Sequence, residues 1–194
     1  MEKVKLTALG NYPDIYVEFE EVDIVGSADI RQTIKTVSDC KVVRAKKDVV
    51  VKAVPAQVGD VVDTRPRVEV DGKLYAFGET KQTITEKHVE VGAMLVQNPD
   101  GEVYVVKGEK FAKTYEALGN GQYSPKDSTK KFVKINKNIC FKAPWGEMVY
   151  APKGSMLCVE YIDTKDVYSI TNAAFAATYK EQEQEVVDEG DDLL

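Results

Sequence analysis

The 194-residue sequence predicts an α+β, β-rich protein made of tandem hairpin-plus-short-helix modules packed as a pseudo-symmetric unit. Three observations predict it: short runs of alternating apolar and polar residues broken by tight-turn residues, few and short helical stripes, and a repeated block of sequence. Taken in order, Ile15, Val17 and Phe19 alternate with Tyr16, Glu18 and Glu20, the pattern of a strand with one face buried. Ser27 is placed to cap a helix whose stripe is Ile30, Ile34 and Val37. Val49, Val50, Val51 and Val54 mark another strand. Val68, Val70 and then Leu74, Ala76 flank Asp71-Gly72, a pair that accepts the positive φ angles of a two-residue hairpin turn. Thr85 to Val91 alternates as a strand would, turning His88 to solvent with Glu86 and Glu90. Met94, Val96 and then Val103, Val105 flank Asn98-Pro99-Asp100-Gly101, a second hairpin. Phe111 and Tyr115 stack on one face of a short helix, as do Phe175 and Tyr179, with Thr171 capping the latter helix. Gly119-Asn120-Gly121 is expected to end the first of these helices and open a polar connector to about residue 131.

The repeat lays Gly92-Ala93-Met94-Leu95 through Phe111-Ala112-Lys113-Thr114-Tyr115 on Gly154-Ser155-Met156-Leu157 through Phe175-Ala176-Ala177-Thr178-Tyr179. The glycines are 62 residues apart and the aromatic groups 64, the difference falling in the hairpin, where length is cheaply varied. A third, partial copy begins at Gly59-Asp60 and passes through Asp71-Gly72-Lys73-Leu74-Tyr75 without the aromatic helix. The expected organisation is an N-terminal strand and helix unit over 1–45, a first module over 46–122, a second over 123–180, and an acidic flexible tail over 181–194. In each module the aromatic pair is expected to clamp its helix onto the sheet, because so short a helix is marginal alone. The Thr114 and Thr178 hydroxyls would bond to carbonyls four residues back. Gly92 and Gly154 would turn through positive φ into a strand.

Charge narrows the partners. The net charge is −6, and seven acids from Glu181 to Asp192 exceed it, leaving residues 1–180 at +1. That near-neutral body carries no strong nucleic-acid signal, and its most basic stretch, Lys126, Lys130, Lys131, Lys134, Lys137 and Lys142, reads as a solvated loop and strand face. No apolar run is long enough for a membrane helix. Cys40, Cys140 and Cys158 form no metal-type pair and suit free thiols in the cytoplasm.

Gly101-Glu102-Val103-Tyr104 and Phe111 to Glu116 resemble the ending of the PGDYG-type proteins, a small family of unknown function encoded by phages and prophages. Lys46-Lys47-Asp48-Val49-Val50-Val51-Lys52-Ala53-Val54 is similar to that family's N-terminal strand. The glycine-aspartate of the family stands here only at Gly59-Asp60, being Gly92-Ala93 and Gly154-Ser155 in the two copies. The resemblance spans roughly residues 46–180 and implies a viral origin, with the host cytoplasm as the place of action.

Motif chemistry argues for a non-enzyme without a cofactor. His88 is the sole histidine, and neither a nucleophile elbow nor a phosphate loop is present. The candidate ligand-binding residues are Arg65, Arg67, Trp145 and Tyr150. Arg65-Pro66-Arg67 sends two of the four arginines to one face, a fork suited to phosphate or carboxylate, with pairing to Asp63 and Glu69 as the alternative. Trp145, in Ala143-Pro144-Trp145-Gly146, is expected to be partly buried, and with Tyr150 it supplies a stacking surface. The expected function is sequestration of a small anionic, nucleotide-type signal of host defence, in a pocket between the copies or between subunits of a homo-oligomer. The alternative is a virion or assembly protein that docks on other proteins through its sheet edges and tail.

Overall fold

The computed structural model describes residues 1–78, 81–99, 101–126 and 129–182. The chain opens with β1 (Glu2–Ala8), β2 (Ile15–Glu21) and α1 (Ile30–Val37). It continues through β3 (Val43–Lys47), β4 (Val51–Pro55), β5 (Val61–Val62), β6 (Arg67–Val70), β7 (Lys73–Phe77), β8 (Gln82–Thr83) and α2 (Glu86–Glu90). Then come β9 (Met94–Gln97), β10 (Val103–Val106), α3 (Gly108–Thr114), β11 (Tyr115–Gly119) and β12 (Gln122–Pro125). The last part holds β13 (Thr129–Lys134), β14 (Ile139–Lys142), β15 (Met148–Ala151), β16 (Met156–Tyr161), β17 (Asp166–Ile170), α4 (Asn172–Thr178) and β18 (Tyr179–Glu181).

Two five-stranded sheets have the same plan. One runs β10-β9-β4-β12-β11 and the other β17-β16-β13-β3-β18. Each has a hairpin on one side, a helix crossing to the far edge, and an inserted strand next to that edge. The registers match residue for residue. Tyr115 pairs with Pro125 and Tyr123 with Val51 in the first sheet, where Tyr179 pairs with Lys47 and Ala45 with Lys130 in the second. Hydrogen bonds outside the ladders repeat too. The Ala56 N–H donates to the Ala93 carbonyl at 2.9 Å, and Ile135 to Ser155 at 2.8 Å. The Lys126 N–H donates to Thr114 at 2.9 Å, and Asp48 to Thr178 at 2.8 Å.

The inserted strands are exchanged. β3 precedes β4 in the chain but lies in the second sheet, while β12 precedes β13 and lies in the first. The module boundaries read from the sequence, near residues 45 and 122, fall inside these two strands. Each copy therefore completes the other's sheet, which closes an internal gap that would otherwise leave unpaired backbone groups.

The aromatic pairs stack, but not along one helix face as expected: α3 and α4 end at Thr114 and Thr178, and each tyrosine is the first residue of the strand that follows. Phe111 stacks on Tyr115 with centroids 5.0 Å apart, and Phe175 on Tyr179 at 5.5 Å. A third ring meets each phenylalanine edge-on, and it comes from a different strand in each copy: Tyr123 of β12 in the first, Phe132 of β13 in the second. The facing positions compensate, with Ala53 on β4 where the second copy has Phe132, and Ala45 on β3 where the first has Tyr123. Large against small is conserved while the side that supplies the ring is not, as close packing allows. Thr178 Oγ1 donates to Ala174 O at 2.7 Å and Thr114 Oγ1 to Lys110 O at 2.9 Å. Thr171 caps α4, accepting from Ala174 N at 3.0 Å. Gly92 (φ +65°) and Gly154 (φ +96°) both take the left-handed turn ahead of their strands.

Between its paired strands each copy carries an insert that supplies one hairpin to a six-stranded sheet, ordered β15-β14-β2-β1-β7-β6. The N-terminal hairpin thus sits between β14–β15 and β6–β7. The sheet curls enough to bring Tyr150 of β15 against Phe77 of β7, with centroids 4.3 Å apart, around a core of Leu6, Phe19, Val68 and Tyr75. The Asp71-Gly72 segment, expected to lie within a third partial copy, is the turn of β6–β7 in the first copy's insert. Its positive φ angles, +49° and +76°, are those the sequence required. α1 covers the second copy, burying Ile30, Ile34 and Val37 against Val133, Leu157 and Val159.

Three local expectations are corrected. Asp29, not Ser27, caps α1, accepting from Gln32 N at 3.1 Å, and the Ser27 hydroxyl faces Thr33 at 2.6 Å instead. Residues 86–90 are helical rather than extended, because His88 takes the N3 place of a capping box with Thr85. Gly119-Asn120-Gly121 turns the β11–β12 hairpin with φ of +94°, +54° and +72°, and α3 already ends at Thr114. In the basic stretch Lys130 is half-buried rather than solvated. The tail from residue 183 onward lies outside the described residues.

Candidate functional site

The four residues singled out for ligand binding do not form one site. Arg65 and Arg67 flank Pro66 at the start of β6, and both turn to Asp63, the pairing weighed as the alternative to a free fork. Arg65 binds Asp63 through two bonds, Nε to Oδ1 and Nη2 to Oδ2, each 2.8 Å. That hydrogen-bonded guanidinium holds the Asp63 carboxyl down at about 2. Arg67 lies farther from the same carboxylate, Nη1 to Oδ2 being 3.7 Å, and donates to Arg65 O at 3.2 Å and Gly101 O at 3.4 Å. Its side chain is only 7% exposed, and its Nε is buried with no hydrogen-bond partner.

Trp145 and Tyr150 occupy the other end of the six-stranded sheet's order, on the β14–β15 hairpin. Trp145 sits in the turn and is 58% exposed rather than partly buried, its indole N–H donating to Glu147 Oε2 at 3.3 Å. The turn, closed by Gly146 N–H to Ala143 O at 2.9 Å, offers the ring no wall. Tyr150 is half-buried, packed against Phe19 and Phe77, with its hydroxyl donating to Glu2 Oε1 at 3.0 Å. Burial and the Glu2 carboxylate push its pKa up, so it serves as a neutral anchor between β15 and the chain start.

Of the four, Arg67 lines a concavity. An open cleft of about 520 Å³ lies beside β6 and β7, walled by Tyr12, Arg67, Glu69 and Lys73, with Ala173 of α4 on its rim. This volume suits a small ligand. Lys73 holds its ammonium 5.6 Å over the Tyr12 ring and makes no ion pair among the described residues. Tyr12 is fixed by its hydroxyl, which donates to Leu74 O, and by an edge contact to Tyr75 at 5.3 Å. A buried guanidinium, an exposed ammonium and one fixed aromatic wall thus meet, opposed in the cleft lining by the carboxylate of Glu69. Sequence reasoning missed Tyr12 and Lys73, since only the pairing of β1 with β7 brings the β1–β2 loop onto the hairpin.

A second open cleft, about 400 Å³, is walled by Thr64, Gln82, His88, Tyr104 and Lys107. His88 is committed to the fold here. Its Nδ1 accepts the Thr85 N–H at 2.9 Å, which caps α2, and its Nε2 lies 3.2 Å from the Gln82 amide.

Among the described residues no cluster of histidine, cysteine and carboxylate groups is set to hold a metal, and no helix is long and apolar enough to cross a membrane. Comparisons of the chain with family models, curated proteins and solved structures find no match.

Proposed function

We propose that the protein binds a small anionic ligand of nucleotide type without transforming it, and that the site is the cleft between Tyr12, Arg67 and Lys73. The observation that carries this reading is Arg67: a side chain 7% exposed, with an unpartnered buried Nε, lines a cleft that also presents a cation free of carboxylate pairing. Asp63 is largely satisfied by its two-bond pairing with Arg65, so Arg67 retains charge for a ligand. Tyr12 offers a face to a base, and Lys73, above that ring, is placed for a phosphate.

Groups suited to chemistry are used elsewhere, which favours binding. His88 caps a helix, and burial pushes the Cys140 thiol up to about 11. A phage or prophage lineage, as the motif resemblance implies, gives such a cleft a use in sequestering a nucleotide signal of host defence.

The test is a thermal-shift series with mononucleotides, cyclic dinucleotides and ADP-ribose, on the wild type and on Lys73→Glu. Lys73 is exposed, so the variant is expected to fold normally. A ligand at a hundred times its Kd adds about 2.7 kcal/mol to the native state. The reading expects a shift with at least one anion and its loss in the variant. No shift with any of them would turn the assignment to protein docking.

A further inference from the structure

Duplication separates what the fold needs from what it does not. A residue the architecture requires recurs in both copies, whereas one kept for another purpose stands in only one. The matched registers place Lys130 of β13 where the first copy has Val51, and Lys47 of β3 where it has Pro125. Val51 is 1% exposed and part of the first copy's core. The second copy spends the same two places on ammonium groups, both half-buried.

Lys130 is directly opposite Ala45, and Lys47 lies two residues along the same strand, so both side chains leave one face of the sheet, beyond the Phe132–Phe175 packing. Lys130 Nζ donates to the Tyr168 hydroxyl at 3.3 Å and lies 5.8 and 5.9 Å from the Tyr161 and Tyr168 rings. Lys47 Nζ reaches the first copy and donates to the Tyr115 hydroxyl at 3.4 Å. Neither lysine makes an ion pair among the described residues. Glu160, whose charge acts on Lys130, accepts the Lys131 N–H at 3.1 Å. Burial lowers both lysine pKa values; at Lys130 the neighbouring Cys158 and Glu160 oppose the fall in part, while the charges of Lys47 and Lys110 add to it. Positive charge is gathered here against a desolvation cost that the first copy avoids. A fold keeps such a cost where function needs it.

We propose that Lys47 and Lys130 form a second binding site, for a phosphoryl-type oxyanion, at the seam between the two copies. A tetrahedral oxyanion neutralises both ammonium groups at once and accepts from their remaining hydrogens, three being available on each. The Tyr115 hydroxyl, already accepting from Lys47, keeps its own hydrogen to donate. Strand exchange creates the site. Lys47 belongs by chain order to the first copy, and only the crossing of β3 into the second sheet sets it beside Lys130. The inference stands apart from the Arg67 cleft.

The test uses the full chain and calorimetric titration with pyrophosphate and, separately, ADP. Lys130→Val installs the residue the first copy uses at that position, and Lys47→Met removes the other charge with little loss of bulk. The wild type is expected to bind pyrophosphate saturably, and each variant to weaken it at least about tenfold. Without ligand, Lys130→Val should raise the melting temperature by about 2–5 °C. If ADP loses affinity in parallel, the phosphoryl group is free or nucleotide-borne, and the tighter ligand names the source. ADP binding that survives Lys130→Val but not Lys73→Glu belongs to the cleft. No saturable pyrophosphate binding, unchanged affinity in both variants, or a fall in melting temperature on Lys130→Val would each overturn the proposal.

Discussion

The two copies share a strand plan, a clamped helix and a turn glycine, yet one ends its inner sheet face in Val51 and Pro125 and the other in Lys130 and Lys47. The shared features are all ones that a small sheet cannot do without. A seven-residue helix needs buried aromatic area to persist, and the strand after Gly92 or Gly154 needs a left-handed turn before it. The features that differ are ones the fold tolerates in more than one form. Where the copies disagree in packing they compensate, as with Phe132 packed with Ala45 against Tyr123 with Ala53. Where they disagree in charge, tyrosine hydroxyls and rings answer the two lysines but no ion pair does among the described residues, which points to use rather than architecture.

The largest test of this comparison is on the ring that meets Phe175. Phe132 is fully buried, so Phe132→Ala should cost about 3–5 kcal/mol, read from urea unfolding. Adding Ala45→Tyr to that variant reproduces the first copy's arrangement and should recover part of the loss, whereas Ala45→Tyr alone should destabilise by overpacking. If the double variant is no better than Phe132→Ala, the copies do not share one packing solution.

A smaller effect comes from the helix starts. α4 begins at Thr171, whose hydroxyl caps it, while α3 begins at Lys107 with no side-chain cap. Thr171→Ala should cost about 1 kcal/mol, and Lys107→Thr should gain part of that amount in the first copy. The Asp63 pairing gives an acid signature outside the repeat. Its carboxyl titrates near 2 when folded against an ordinary 3.8, so its contribution is complete above the ordinary value and is lost as pH falls toward 2. Asp63→Asn should flatten that part of the stability profile and lower stability at neutral pH by about 1–2 kcal/mol.

Smallest is the alkaline profile, which the two sets of groups pull in opposite directions. Lys47 and Lys130 have lowered folded pKa values, so deprotonation favours the folded state and stability rises with pH up to the ordinary lysine value of 10.5. The tyrosines run the other way. Tyr179 is raised by burial to about 12, and the stability it contributes is present below the ordinary 10.0 and lost as pH climbs through 12. Lys130→Val should remove part of the rise and leave the tyrosine fall, as followed by denaturant midpoints across pH.

Much of this was legible in the sequence wherever the cause is local. Asp71-Gly72 announced a hairpin through the backbone it tolerates, and the spacing of Phe111 to Tyr115 and Phe175 to Tyr179 announced a short helix before each tyrosine, although the tyrosines themselves open the next strands. What misled is also physical. Thr85 to Val91 alternates like a strand, but His88 stands in for the acid of a capping box, and that local bond decides the segment. The exchange of β3 and β12 left no mark, because an alternating strand fits either of two similar sheets and the choice rests on partners far along the chain. The same holds for the candidate cleft. Arg65 and Asp63 lie within one short segment and their pairing was readable, whereas Tyr12 and Lys73 meet only through the tertiary pairing of β1 with β7.

The account depends most on the exchanged strands, and backbone nuclear Overhauser contacts across β3 test them directly. The prediction is contacts from Arg44 and Ala45 to Lys131 and Lys130, the antiparallel register of β3 with β13. Contacts from Arg44 and Ala45 to Lys52 and Val51 instead would mean that β3 folds back on its own copy, and would remove both the exchange and the lysine seam built on it.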